Sequence, residues 1–198
     1  MKKLINYLLG HSAPVPVRAR TRDSNAFAYR MPAGIPGDIN RSGAAFVVEP
    51  NVVDTQNPPL AYGVPVALDS TYGIRPIGAA DAAVNVYGML VRPYPTSQQT
   101  TSSFFGSNPL GTVQVPPASG MCDVLKTGYM TVKLYGATAS APGGAVYVRT
   151  QNAGAGQVVG GIEAAADGGN TIQIGAANNT YFRGAADASG NVEIAFNV

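Results

Sequence analysis

The chain has 198 residues with 13 basic and 11 acidic side chains, a net charge of +2, one His, one Cys, no Trp and only 12% charged residues. An ordinary soluble domain carries roughly 25% charged residues, so this surface depends on Ser, Thr, Asn and Gln for solubility or is covered by other protein. Cys122 alone excludes an intramolecular disulfide, and His11 alone excludes a zinc cluster and makes a Ser-His-Asp triad improbable.

The charge is unevenly placed: residues 1–41 hold seven basic and two acidic side chains, the remainder six and nine. Met1, Lys2 and Lys3 followed by Leu4 to Leu9 imitate a signal peptide, but the apolar run has six residues where roughly 7 to 15 are needed. No stretch approaches the roughly 18 apolar residues of a membrane span, so an unprocessed, soluble chain is expected. Leu4, Ile5, Leu8 and Leu9 have helical spacing, although so short a helix needs a partner surface. From Ser12, the residues Pro14, Pro16, Arg18, Arg20, Arg22 and Arg30 alternate with small ones and read as extended chain. Residues 1–43 are therefore expected to form a basic, extended arm lying on another surface.

From Ala44 onward short period-2 runs are bounded by Gly, Pro, Asn and Asp. Predicted strands are Phe46 to Glu49, Gly63 to Leu68, Val84 to Arg92, Met130 to Tyr135, Val146 to Arg149, Gln157 to Ile162, Thr171 to Ile174 and Val192 to Asn197. In the last of these Val192, Ile194 and Phe196 point inward, while Val146 and Val148 alternate with an outward Tyr147 and Arg149. Val outnumbers Leu 21 to 9, and 24 Gly with 15 Pro punctuate the pattern. The fold class expected is all-β, a compact β-barrel or sandwich of short antiparallel strands over residues 44–198 behind an extended N-terminal arm. Closure protects sheet edges in a chain with few charges to guard them.

Thr96 to Pro117 is rich in Ser, Thr, Gln and Pro and carries Phe104 and Phe105. Loops above roughly 12 to 15 residues are uncommon unless functional or linking. The two rings either dock on a neighbour or fold back into the chain's own core. Two similar segments, Ala165 to Ile174 and Ala185 to Ile194, read as turn-then-strand units rather than a solenoid, which needs three or more repeats.

Chemistry is scarce. Asp69, Asp81, Asp123, Glu163 and Asp167 show no distinctive spacing for a carboxylate pair and mostly sit where Asp makes turns. Gly154-Ala155-Gly156-Gln157-Val158-Val159-Gly160-Gly161 lacks the third glycine and the Lys of phosphate loops and reads as a hairpin turn. The sequons at Asn40 and Asn178 carry no weight without secretion. The arm's cations suit phosphates, but with only Tyr7, Phe27 and Tyr29 interleaved, direct nucleic-acid binding is not expected.

Ala33-Gly34-Ile35-Pro36-Gly37-Asp38-Ile39-Asn40-Arg41 is followed by Gly63-Val64-Pro65-Val66-Ala67-Leu68 and Val86-Tyr87-Gly88-Met89-Leu90-Val91-Arg92. Next come Asp123-Val124-Leu125-Lys126-Thr127-Gly128-Tyr129-Met130-Thr131-Val132, Pro142-Gly143-Gly144-Ala145-Val146-Tyr147-Val148 and a closing Tyr181-Phe182-Arg183-Gly184-Ala185 to Val192-Glu193-Ile194. In this order, over about residues 30 to 198, they resemble the structural cement, or capsid decoration, proteins of tailed bacteriophages. The long arm and the Thr96 to Pro117 insertion depart from that pattern.

The resemblance implies a virion protein on the outer surface of the capsid, binding the major capsid protein, bridging neighbouring capsomers and steadying the head against internal DNA pressure. It implies a homodimer or homotrimer, no membrane, no cofactor, no catalytic or metal residues and no enzymatic activity. Candidate capsid-interface residues are Arg18, Arg20, Arg22, Arg30 and Arg41 of the arm with Phe104 and Phe105 of the loop. A tail or fibre β-module binding a glycan or receptor is the alternative, because Asn, Thr and Tyr suit sugar contacts.

Overall fold

Among the described residues ten strands in chain order make one mixed sheet: β1 (Val47–Val52), β2 (Pro65–Leu68), β3 (Ile74–Pro76), β4 (Gly88–Leu90), β5 (Met121–Tyr135), β6 (Tyr147–Arg149), β7 (Ile162–Glu163), β8 (Thr171–Gln173), β9 (Tyr181–Phe182) and β10 (Asn191–Phe196). They come from a computed structural model that describes residues 33–41, 46–71, 73–93, 116–175 and 179–198. Among these, no helix is long and apolar enough to cross a membrane.

The all-β expectation holds. Its organising element is β5, 15 residues long. Val124 and Leu125 are flanked on one edge by Glu49 and Val48 of β1 and on the other by Leu90 and Met89 of β4, all antiparallel. Gly128 to Lys133 then pair with β10, and Leu134 and Tyr135 pair with Ile162 and Glu163 of β7 in parallel. The parallel pair departs from the expected all-antiparallel arrangement. The long connection between β5 and β7, which contains β6, lets a strand return in the same direction.

Bridges close the two halves. Val53 pairs with Ile74, so β1, β5, β4, β2 and β3 return on themselves. Ala145 pairs with Tyr181, so β5, β10, β9, the β6 segment and β7 do the same. Both rings share β5.

Two cores result. The larger gathers Met89, Leu125, Met130, Val132, Val146, Val148, Ile162, Ile174, Phe182, Val192, Ile194 and Phe196, and the smaller Val53, Tyr62, Val66, Ile74, Leu90, Cys122 and Val124. Successive residues Met89 and Leu90 of β4, or Val124 and Leu125 of β5, serve different cores, so this part of the sheet is buried on both faces. That is why β2 and β4 read as unbroken apolar runs instead of alternating ones. Each fully buried aliphatic or aromatic side chain contributes about 1.5–3 kcal/mol. Cys122 behaves as a small buried hydrophobe, and burial pushes its thiol pKa up.

Several expectations need correction. Ala83–Asn85 forms a 3-10 turn, closed by the Ala82 amide donating to Asn85 Oδ1 at 2.7 Å, so the strand predicted from Val84 begins only at Gly88. Gln157 to Gly161 belongs to the β6–β7 connection, whose Gln157 and Gly161 amides donate to the carbonyls of Gly154 and Val158. Gly154 to Gly161 is thus the turn region read from its glycines. Ile74–Pro76 is a strand that the sequence pattern does not announce. Arg149, predicted to point outward, is fully buried, and Glu163 is a buried member of β7 rather than a turn residue.

Candidate interaction surface

The outer face of the β5–β10–β9 ribbon carries the densest set of interacting polar and aromatic side chains around a residue selected from sequence. Register aligns Tyr129, Ala195 and Tyr181 across three strands, while the neighbouring row of Met130, Ile194 and Phe182 enters the larger core. Because side chains alternate across a strand, the two tyrosines stand on the outer face. Ala195 between them leaves room for the rings and is itself fully buried. Arg183, two residues after Tyr181, places its guanidinium carbon 5.7 Å from the Tyr129 ring centre and 5.9 Å from that of Tyr181. Its backbone amide donates to the Glu193 carbonyl at 2.9 Å.

Arg41 reaches the same face from the segment 33–41. This segment lies along the free edge of β5: Gly37 donates to Thr131 at 2.8 Å, Thr131 to Asp38 at 3.0 Å and Asn40 to Tyr129 at 3.1 Å, all backbone to backbone. The Asp187 carboxylate accepts the Ala33 amide, and the Asn191 side chain donates to the Gly34 carbonyl, both at 3.0 Å. Gly37 and Gly63 permit the approach. A Cβ on Gly37 would stand 2.6 Å from Tyr62 Cβ, and one on Gly63 would stand 2.6 Å from the Gly37 amide nitrogen.

So held, Arg41 donates from Nε and Nη2 to the two carboxylate oxygens of Glu193 at 3.0 and 2.8 Å, and its guanidinium lies 4.8 Å from the Tyr129 ring centre. Burial raises the Glu193 pKa, but the bonds and charge of Arg41, the Asn40 amide and the charge of Arg183 together bring it below the usual range. The Arg41 guanidinium is in turn held above its ordinary value, chiefly by the hydrogen bond to Glu193. The Arg183 guanidinium makes its ring contacts without a hydrogen bond or ion pair among the described residues.

Arg41 is therefore the one expected interface residue that the described residues contain. Arg18, Arg20, Arg22, Arg30, Phe104 and Phe105 lie outside them. Sequence reasoning missed Tyr129, Tyr181 and Glu193, on three strands, and Arg183, just past β9, which meet only through register. Alternation in β10, which puts Glu193 and Ala195 outward, was the available signal.

A second surface lies at the start of β5. Val52 and Met121 are cross-strand partners, 56% and 64% exposed. Beyond these surfaces, Asp69 accepts the Thr71 and Gly73 amides and Asp81 the Gly78 amide, as turn residues do. Among the described residues no group of three or more His, Cys, Asp or Glu side chains is placed to hold a metal. Charge pairing and aromatic contact are what this arrangement offers a partner.

The family model described as XM1 gp53 minor capsid protein matches residues 24–196. Among solved structures, a chain from the capsid of Myoviridae phage XM1 is similar with a TM-score of 0.57 at 16% identity, covering 86% of this chain and 94% of that chain. At that identity the likeness is one of fold. No curated protein gives a significant match.

Proposed function

This chain belongs to the XM1 gp53 minor capsid protein family, and on that premise we propose that it is a capsid cement protein. It is a phage capsid-associated structural protein of the virion. In the proposed role it coats the outer surface of the shell, binds the major capsid protein, bridges neighbouring capsomers as a homodimer or homotrimer and carries out no catalysis. The family match over most of the chain is the observation that carries this reading.

Physical features support it. Two cores sharing one strand make a rigid body, and the exposed Val52–Met121 pair and the Arg41–Tyr129–Arg183 face offer separate contact surfaces on that body. The basic residues of 1–41 and the Phe104–Phe105 pair are proposed as further contacts. A ligand that binds the assembled shell and not its dissociated subunits stabilises assembly by mass action, and many identical sites multiply a modest contact.

The test is incubation of the purified full chain with expanded capsids of its phage. Binding with a rise in capsid melting temperature is the expected result, and absence of binding overturns the proposal. A glycan array should give no specific ligand, and a specific sugar would favour a fibre module instead.

A further inference from the structure

We propose that Arg183 is a docking point for a single carboxylate, an Asp or Glu side chain, on the shell protein that this chain covers. This rests on the cement reading, and it names the chemistry of the contact.

Two guanidinium groups share the face around Tyr129, and they are in different states. Arg41 is closed by Glu193, which takes both ends of its fork. Arg183 lies beside the same ring and that of Tyr181, and among the described residues no carboxylate or carbonyl accepts from its guanidinium. A guanidinium has five N–H donors in a rigid plane and no acceptor. Contact with an aromatic ring uses the face of that plane and leaves the N–H edge available. The two tyrosines also limit the conformations the long side chain can adopt, which lowers the entropy lost when a partner seats on it. Arg183 is exposed, so a partner can reach it.

The charge around the site selects the anion. Glu193 stands opposite Arg183 in the β9–β10 register, but both of its carboxylate oxygens are taken by Arg41, so the face carries two guanidinium groups against one carboxylate. A phosphate chain needs several adjacent unpaired cations, and Arg41 on this face is already closed by Glu193. One fork beside one acid matches one carboxylate, bound bidentately. Arg and Tyr together on a fixed strand platform are also the residue types in which binding energy concentrates at protein interfaces.

The experiment is co-sedimentation of the full chain, wild type and variants, with purified shells of the phage's major capsid protein. R183A is expected to bind at least about tenfold more weakly, the loss typical of an interface hot spot, with an unchanged melting temperature. R183K should recover only part of the binding, because an ammonium cannot make the bidentate contact. R183Q takes the place of R183A if that variant fails to fold. Wild-type binding that R183A or R183Q matches overturns the docking point alone, as does R183K binding equal to wild type for its bidentate geometry. Wild-type protein that does not bind shells overturns the cement reading and the docking point with it. Binding of a short DNA duplex that R183A abolishes would overturn the assignment of a protein carboxylate.

Discussion

Arg149 Nε lies 2.6 Å from Glu163 Oε1, with both residues closed off from solvent. The same guanidinium donates to Glu163 Oε2 at 3.0 Å and to the carbonyl of Asn152 at 3.1 Å, and its Nη2 lies 2.9 Å from the Asp167 carboxylate. It thereby ties β6, the β6–β7 connection, β7 and the turn before β8. The hydrogen bond to Glu163, opposed by burial and reinforced by Asp167, drives the Arg149 pKa far upward. Breaking a buried pair strands the remaining charge and typically costs about 3–5 kcal/mol. R149M should therefore lower stability by that order in urea denaturation, and E163L by less, because Asp167 still pairs with Arg149. The double variant R149M/E163L should lose less than the sum of its singles, and strict additivity would show that the two are not coupled.

Gly88 is required by space alone. A Cβ there would stand 2.4 Å from Val124 Cγ1 and 2.6 Å from the Leu125 carbonyl oxygen, where β4 crosses β5 between the two cores. G88A should cost about 1–3 kcal/mol by overpacking. G169A, whose Cβ would meet nothing within 4 Å, should stay within about 0.5 kcal/mol of wild type. Equal thermal melts for the two variants would contradict the packing described.

Asp81 accepts two bonds from Arg75, each 2.8 Å, and the Gly78 amide at 2.8 Å. The Arg75 hydrogen bond, opposed by burial and helped by Gly78, holds its carboxyl pKa below the ordinary value. A carboxyl whose folded pKa lies below its unfolded value, about 3.9, stabilises fully above that value. The contribution disappears as pH falls through the lower folded pKa. The stability gap between wild type and D81N, measured by urea unfolding, should be constant from about pH 7 to 5 and shrink below about pH 4. A gap that widens with acid would reverse the sign of the linkage.

Pro50 guards the open edge of β1. The Val53 amide donates toward β5, to Gly120, and the Asp54 amide donates away from it, to Ile74. By alternation the backbone nitrogens of Val48, Pro50 and Val52 face outward, where proline presents no N–H. P50V adds a donor and a strong strand former to an edge already flanked by exposed Val47 and Val52. It should increase concentration-dependent self-association in light scattering, with little change in melting temperature. An unchanged mass at all concentrations would show that the edge is protected by something else.

The segment 33–41 behaves as part of the β-body. Deleting residues 1–41 removes its ladder to β5 and leaves the buried Thr131 amide without its partner, while the Asp187 carboxylate keeps the Ser189 and Asn191 amides, and an unsatisfied buried donor costs about 1–3 kcal/mol. Deleting residues 1–31 spares all of these bonds. The longer deletion should therefore melt several degrees below the shorter one. Coincident melts would mean that the segment adds nothing to stability.

Alternation made β10 legible from sequence: Val192, Ile194 and Phe196 are buried as the period requires. The same rule failed at Arg149, because a buried carboxylate from β7 can hold a charge inside, and that pairing lies 14 residues away. β5 was hidden in its full length because Lys126, Thr127 and Gly128 interrupt its apolar pattern, and Gly128 turns the chain with a φ of 143°. The swapped order of strands, with β7 parallel to β5, depends on contacts that no local signal encodes. Arg41 stood out for its charge. Arg183 did not, since its meaning comes from Tyr129 and Tyr181, which are neighbours only across Ala195.

β1 and β10 both run antiparallel to β5, one along its first half and the other along its second. A pull applied to β1 against β10 along the axis of β5 loads both ladders lengthwise, so the hydrogen bonds of each ladder share the force at once instead of opening one after another. The same pull must slide apart both cores, because each is anchored on this strand. Mechanically the molecule is a tie bar with a grip at either end, strongest along β5 and weakest to peeling at the free edge beside Pro50.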